Sequence, residues 1–127
     1  MDRNHRQRSL EDACLCAQLA ADFRGKDTLV LDLTDITPIV DYFVITTGNS
    51  PRQLRSLADE VRQTMKGRGN APHGEEGDER SSWILQDYGD IVLHAFLPEA
   101  RKLYDLEHLW ADARRIDWEA AATVSNG

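Results

Sequence analysis

Nothing in the 127 residues approaches the run of about 18 consecutive apolar side chains that a membrane-spanning helix needs. The opening Met1-Asp2-Arg3-Asn4-His5-Arg6 has no apolar stretch behind it, which argues against a secretory signal. Both absences favour a cytoplasmic protein. Cysteine is scarce: Cys14 and Cys16 are the only two. Two apart on a helix, they face different directions, cannot bridge, and make half a metal site at most. Two reduced thiols are expected, Cys14 buried and Cys16 more exposed. His5, His73, His94 and His108 add no zinc spacing to them. Net positive charge is missing too, with 15 basic against 22 acidic residues and a balance of -7. A generic nucleic-acid binder draws most of its affinity from neutralising phosphates, so the main partner is expected to be a protein, and a basic one. There is no G-x-S-x-G elbow, no phosphate loop ending in Gly-Lys-Ser or Gly-Lys-Thr, and no G-x-G-x-x-G. No cofactor is expected.

What is present is one domain's worth of globular chain, 41% hydrophobic and 29% charged. Residues 1–9 read as a flexible polar lead, 10–118 as the domain and 119–127 as a disordered tail. Leu10, Cys14, Ala17 and Ala21 recur at helical spacing, and Gly25 closes that helix. Residues 28–34 alternate as a strand, with Leu29, Leu31 and Leu33 on one face and Val30 and Asp32 on the other. Asp32 there needs either an exposed edge or a partner. After Thr37-Pro38, Tyr42-Phe43-Val44-Ile45 is apolar on both faces, as a covered central strand requires. Ser50-Pro51-Arg52-Gln53 is a helix start, with Ser50 as cap and Gln53 placed to close a capping box. Leu54, Leu57, Ala58, Val61 and Met65 form its apolar stripe, and Arg55, Asp59, Arg62 and Lys66 lie on the outer side. Residues 67–82 read as a long acidic loop, of a length that more often serves function than a short connection does.

Residues 83–87 and 90–96 form a hairpin around Tyr88-Gly89. Pairing Asp87 with Asp90 sets Leu85 opposite Val92 and Trp83 opposite His94. One face then carries Trp83, Leu85, Val92, His94 and Phe96, and the other Ile84, Gln86, Ile91, Leu93 and Ala95. Both are largely apolar, so each is covered by a helix or offered to a partner. Pro98 opens a last helix whose buried stripe is Leu103, Leu106, Trp110 and Ala113. The expected fold is α/β, a compact mixed sheet flanked by helices.

Gly48-Asn49-Ser50 after a buried strand, with Asp87 and Asp90 on a later hairpin, resembles the nucleotidyltransferase layout, in which a Gly-Ser turn holds phosphates and carboxylates hold metal. Two aspartates flanking a tight turn are better placed to shape it than to converge on magnesium. Ser50 is better explained as a cap than as a nucleophile. The residues therefore favour a binding protein over an enzyme.

Several segments together carry a closer resemblance. They are Asp41 to Ser50 (DYFVITTGNS), Glu76-Gly77, Trp83 to Phe96 (WILQDYGDIVLHAF) and Arg101 to Trp110 (RKLYDLEHLW). In order and spacing they are similar to the Iojap or RsfS family, the ribosomal silencing factors, over roughly residues 10–113. The resemblance implies a nucleotidyltransferase-like fold without catalytic residues. It also implies docking on the large ribosomal subunit at its subunit-face protein numbered fourteen, which blocks joining of the small subunit and lowers translation in starvation. A homodimer in isolation belongs to the same expectation, while a peripheral rRNA contact rests on the basic lead with Arg3, Arg6 and Arg8, which reads more readily as a solvated tail. Trp83 matches the family's contact-face tryptophan, and Leu85, Asp87, Tyr88, His94, Arg101, Tyr104 and Glu107 match other signature positions. The residues leave open whether Trp83 is an anchor or ordinary core. As an anchor it would sit inside an acidic rim of Glu76 and Glu79. His73-Gly74-Glu75 departs from the family pattern and makes the loop more acidic.

Overall fold

The computed structural model describes residues 3–120. Its elements run α1 (Arg3–Asp22), β1 (Lys26–Asp32), β2 (Tyr42–Thr47), α2 (Pro51–Gly67), β3 (Gly74–Glu76), β4 (Trp83–Asp87), β5 (Ile91–Phe96), α3 (Pro98–Tyr104), α4 (Leu106–Leu109) and β6 (Arg114–Ile116). One six-stranded sheet has the order β3-β4-β5-β2-β1-β6. Only β2 and β5 pair in parallel, and the other ladders are antiparallel. The expected mixed α/β sheet is therefore present, with β2 central as its two apolar faces require.

Each face of the sheet takes a different cover. Val30, Tyr42, Val44, Ile84, Ile91, Leu93 and Ala95 pack under α1 and α2. The α2 stripe, Leu54, Leu57, Ala58, Val61 and Met65, is wholly buried there. Ser50 caps α2 by accepting the Gln53 N–H, while the Gln53 side-chain Oε1 accepts the Asn49 N–H at 2.6 Å. On its outer side Arg62 pairs with Asp59 and Glu75, both at 2.8 Å. The opposite sheet face, with Leu31, Leu33, Ile45 and Phe96, meets Ala100, Leu106 and Ala113. Ala100 comes from short α3, Leu106 from short α4 and Ala113 from the turn before β6, and they cover only part of it.

Several expectations need correction. Helix α1 begins at Arg3 rather than Leu10, so most of the expected lead is helical. Ser9 on it is buried and donates to Asp90 Oδ2 at 3.2 Å, and His5 Nε2 lies 3.1 Å from the same oxygen. These contacts hold the first turns against the sheet, a tertiary cause that periodicity does not show. Cys16 is the deeper cysteine, with no exposed surface, and burial pushes its thiol up to about 12. The 67–82 connection is not all loop, because Gly74–Glu76 adds edge strand β3 to β4. The tail beyond residue 120 lies outside the described residues.

The hairpin slides relative to the expected register. Trp83 stands opposite Phe96, Leu85 opposite His94 and Asp87 opposite Val92. The turn residues are Gly89-Asp90, with Tyr88 N–H donating to the Ile91 carbonyl at 2.8 Å. Gly89 takes the positive φ, 88°, that such a tight turn needs. The slide preserves parity, so the division of side chains between faces is as expected. The last helix is interrupted: Asp105 is left-handed at φ 46°, separating α3 from α4. That break resets the periodicity, and Leu103, expected in the core, is 77% exposed.

Candidate functional site

The incompletely covered face carries a row of rings. Trp110 meets Phe43 edge-on at 6.0 Å, and Phe43 meets His94 edge-on at 4.5 Å. His94 lies 5.7 Å from Trp83, and Trp83 lies 4.6 Å from Tyr104. Phe96 packs against Trp83 at 5.1 Å from the neighbouring strand. The row thus crosses β2, β5 and β4 and ends on α3. Trp83 is half-buried, and Tyr104 is 48% exposed. Leu103, next to Tyr104 in sequence, and Leu109 on α4 are also exposed apolar side chains. Sequence periodicity gives no sign of Leu103 as surface, because it reads one continuous helix through Asp105, whereas Leu109 lies off the expected buried stripe.

Two polar devices fix the row from behind. The Trp83 indole N–H donates to His94 Nδ1 at 3.2 Å. His94 is 4% exposed, and burial lowers its pKa to about 4, so the ring is neutral near pH 7. With Nδ1 accepting, the proton sits on Nε2, which is buried and has no partner among the described residues. The second device is Arg101. Its Nη1 donates to Thr47 Oγ1 at 2.7 Å, and its Nη2 reaches Glu107 Oε2 at 3.3 Å. That pair clamps α3 to the end of β2 and to α4. Arg101 is thereby largely buried and Glu107 half-buried.

The other site residues named from sequence separate by position. Leu85 is half-buried on the Trp83 face. Glu76 and Glu79 are exposed, and Glu76 pairs with Leu85 along the β3–β4 edge. Gly77 crosses the start of β4 so closely that a Cβ would lie 2.7 Å from the Trp83 carbonyl. The acidic segment therefore runs beside Trp83. Tyr88 offers an incoming partner almost no surface: it is 3% exposed, and its hydroxyl donates to Gln86 Oε1 at 2.7 Å. Burial raises its pKa well above the ordinary range. Gln86, fully buried, donates in turn to the Ala58 carbonyl at 2.8 Å and to Glu75 at 3.0 Å.

Asp87 and Asp90, weighed as metal carboxylates, are directed to different tasks. Asp87 Oδ1 accepts the Gly89 N–H at 2.8 Å and shapes the turn. Asp90, expected to do the same, instead receives Ser9 and His5 from α1. Among the described residues, His5, Asp41 and Asp90 are the group whose donor atoms could share a cation. Here they tie the start of α1 to the starts of β2 and β5. Ser50 is occupied as the α2 cap.

The model of a family described as ribosomal silencing factor during starvation, RsfS, matches residues 6–126. The chain belongs to the RsfS family. The match reaches further at both ends than the 10–113 segment that carried the resemblance. A ribosomal silencing factor of Chromobacterium violaceum is 38% identical over 96 residues, covering 76% of this chain and 79% of that protein. One from Bacillus subtilis is 37% identical over 103 residues, covering 81% and 87%. A crystal structure of a Chromobacterium violaceum protein superposes with a TM-score of 0.74 at 34% identity, covering 87% of this chain and 88% of that one. Among the described residues, no helix is long and apolar enough to cross a membrane.

Proposed function

We propose that this chain silences translation by binding the large ribosomal subunit through the Trp83–Tyr104 face and blocking its union with the small subunit. The observation that carries the reading is an aromatic pair, packed at 4.6 Å, on the one sheet face that its own helices leave partly open. Central aromatic anchors dominate protein interfaces, and a polar rim excludes water around them. Trp83, Leu85 and Tyr104 are the contact residues, with Glu76 as acidic rim. Asp87, Tyr88, Arg101 and Glu107 hold the face in shape. The net charge of -7 suits a basic partner such as a ribosomal protein, and the family's subunit-face protein numbered fourteen is the partner proposed. A peripheral rRNA contact would fall to the exposed Arg6 and Arg8 at the start of α1. The nucleotidyltransferase-like character of the sheet is part of the same reading, as a scaffold put to docking.

Co-sedimentation of the purified chain with isolated large subunits on sucrose gradients tests this, together with a subunit-joining assay. Co-migration with large subunits and loss of joined ribosomes are expected. Failure to co-migrate would sink the proposal. A second reading, a homodimer through the same surface, draws on the exposure of Leu103 at 77% and Leu109 at 68%. Light scattering over a concentration series would return only monomer if that reading is wrong.

A further inference from the structure

We infer that His94 is a positioning residue for the docking face: by accepting the Trp83 indole N–H on Nδ1, it fixes the orientation in which that indole meets a partner. The inference rests on the proposed role of Trp83 and adds a residue that never touches the partner. His94 is itself locked in place. Phe43 stands edge-on to its ring at 4.5 Å, and Phe96 is stacked with it at 6.1 Å. Leu85 stands opposite it on β4. A phenyl ring would suit these apolar neighbours and would remove the buried Nε2, but it would also take away the acceptor of the half-buried Trp83 indole N–H. The imidazole leaves Nε2 buried and unpartnered, which is unfavourable. What the imidazole adds at this position is one acceptor, aimed at the Trp83 indole at 3.2 Å.

The consequence is pre-organisation. Trp83 opens β4 directly after an exposed loop, and its ring is only half-buried. A side chain already held in its bound orientation loses less rotational freedom when a partner docks. Tyr104 packs against one side of the indole, and the hydrogen bond sets its rotation about the remaining direction. The arrangement predicts a dissociation between stability and function. Removing the acceptor while keeping the ring should leave the fold intact and weaken docking.

The test uses the full chain with His94→Phe, His94→Asn, Trp83→Ala and Trp83→Phe, and isolated large subunits as the probe. H94F should melt at the wild-type temperature or above and bind roughly tenfold more weakly, the size of one lost hydrogen bond. H94N, whose amide oxygen can take the place of Nδ1, should recover most of that affinity. In a Trp83→Phe background, H94F should cause no further loss. The wild-type indole N–H of Trp83, followed by nitrogen-15 NMR, should exchange slowly with solvent, and this readout does not depend on any variant folding. Wild-type affinity in a folded H94F, with W83A impaired, would overturn the positioning role and leave the docking reading intact. Rapid exchange of the indole N–H would overturn it as well. Wild-type affinity in a folded W83A would overturn both.

Discussion

The Trp83 indole packs against the Tyr104 ring at 4.6 Å, joining the first residue of β4 to the last of α3. The contact brings together two segments far apart in sequence and makes one half-exposed aromatic surface from them. On this geometry Trp83 is neither a free surface anchor nor a closed core residue. W83A should reduce large-subunit affinity by roughly 30-fold or more, as loss of a hot-spot aromatic worth about 2 kcal/mol implies. A fully buried tryptophan would cost about 3–5 kcal/mol of stability on truncation. A half-buried one should cost less and leave a cooperative melt. Y104A should weaken binding in the same direction by a smaller factor. Urea melts and gradient binding on the same preparations separate the outcomes. Loss of the cooperative melt in W83A would assign Trp83 to the core.

His94 also gives the fold a pH signature. Its folded value is about 4 against 6.5 for an unperturbed histidine, because burial disfavours the charged ring. Between those values the unfolded chain holds the extra proton. Stability from this group is therefore full above pH 6.5, falls as pH drops toward 4, and changes little below that. At pH 5 the loss relative to pH 7 should be roughly 2 kcal/mol. H94F should lack this component, while the other histidines contribute alike to both proteins. Urea melts of the two proteins at pH 7 and pH 5 measure the difference. A difference independent of pH would show that His94 is not held neutral by burial.

The buried amide of Gln86 ties three elements. It donates to Ala58 on α2 and to Glu75 on β3, and it accepts from Tyr88 beyond the end of β4. Replacing it with leucine keeps the volume but strands the buried Tyr88 hydroxyl, while the Ala58 carbonyl, inside α2, keeps its helical partner. Q86L should cost about 1–3 kcal/mol, the range for a stranded buried polar group. Adding Tyr88→Phe should return part of that loss, since the hydroxyl no longer needs an acceptor. Denaturant midpoints of the single and double variants decide the matter. A double variant no more stable than Q86L would mean the two groups are not coupled.

The sequence made long periodic elements legible and short tertiary ones illegible. The α2 stripe and its Ser50 cap follow from spacing and helix-end chemistry alone, as does the central position of β2. The face division of β4 and β5 is legible too, because alternation survives a slide of register. The register itself depends on which residues sit at the turn. Two aspartates there suit several choices, and the structure places Gly89-Asp90 at the turn, with the Tyr88 hydroxyl turned in to donate to Gln86 Oε1. Strands β3 and β6 are short edge strands of largely exposed residues, defined by pairing rather than by pattern. Yet β6 supplies Arg114, which donates to Asp32 at 3.0 Å and so answers why an aspartate is tolerated in β1. Desolvation would raise the Asp32 pKa, but hydrogen bonds from Thr34 and Arg114 outweigh it and hold it low. In the site, Trp83 was legible as a candidate anchor. Leu103 was not, because a single left-handed residue at Asp105 turns it outward.

Gly77 joins the acidic segment to the start of β4 by a close backbone approach. Its φ is 107°, a conformation that side-chain-bearing residues rarely adopt. A Cβ there would lie 2.7 Å from the Trp83 carbonyl and 3.1 Å from Ile84 Cα, and neither backbone atom can move without shifting β4. G77A should therefore cost about 1–3 kcal/mol through strain and displace the segment that carries Glu76 and Glu79. Gly89 provides the control. Its φ is 88°, so G89A is strained as well, but the nearest atom to its Cβ is His73 Cε1, in a side chain free to turn away. It lies at the opposite end of β4 from Trp83. Both substitutions should lower the melting temperature, and only G77A should also weaken large-subunit binding beyond what its lost stability explains. Binding measured well below both melting transitions makes that comparison direct. Equal affinity for the two variants would show that the close approach of Gly77 to Trp83 serves the fold and not the docking face.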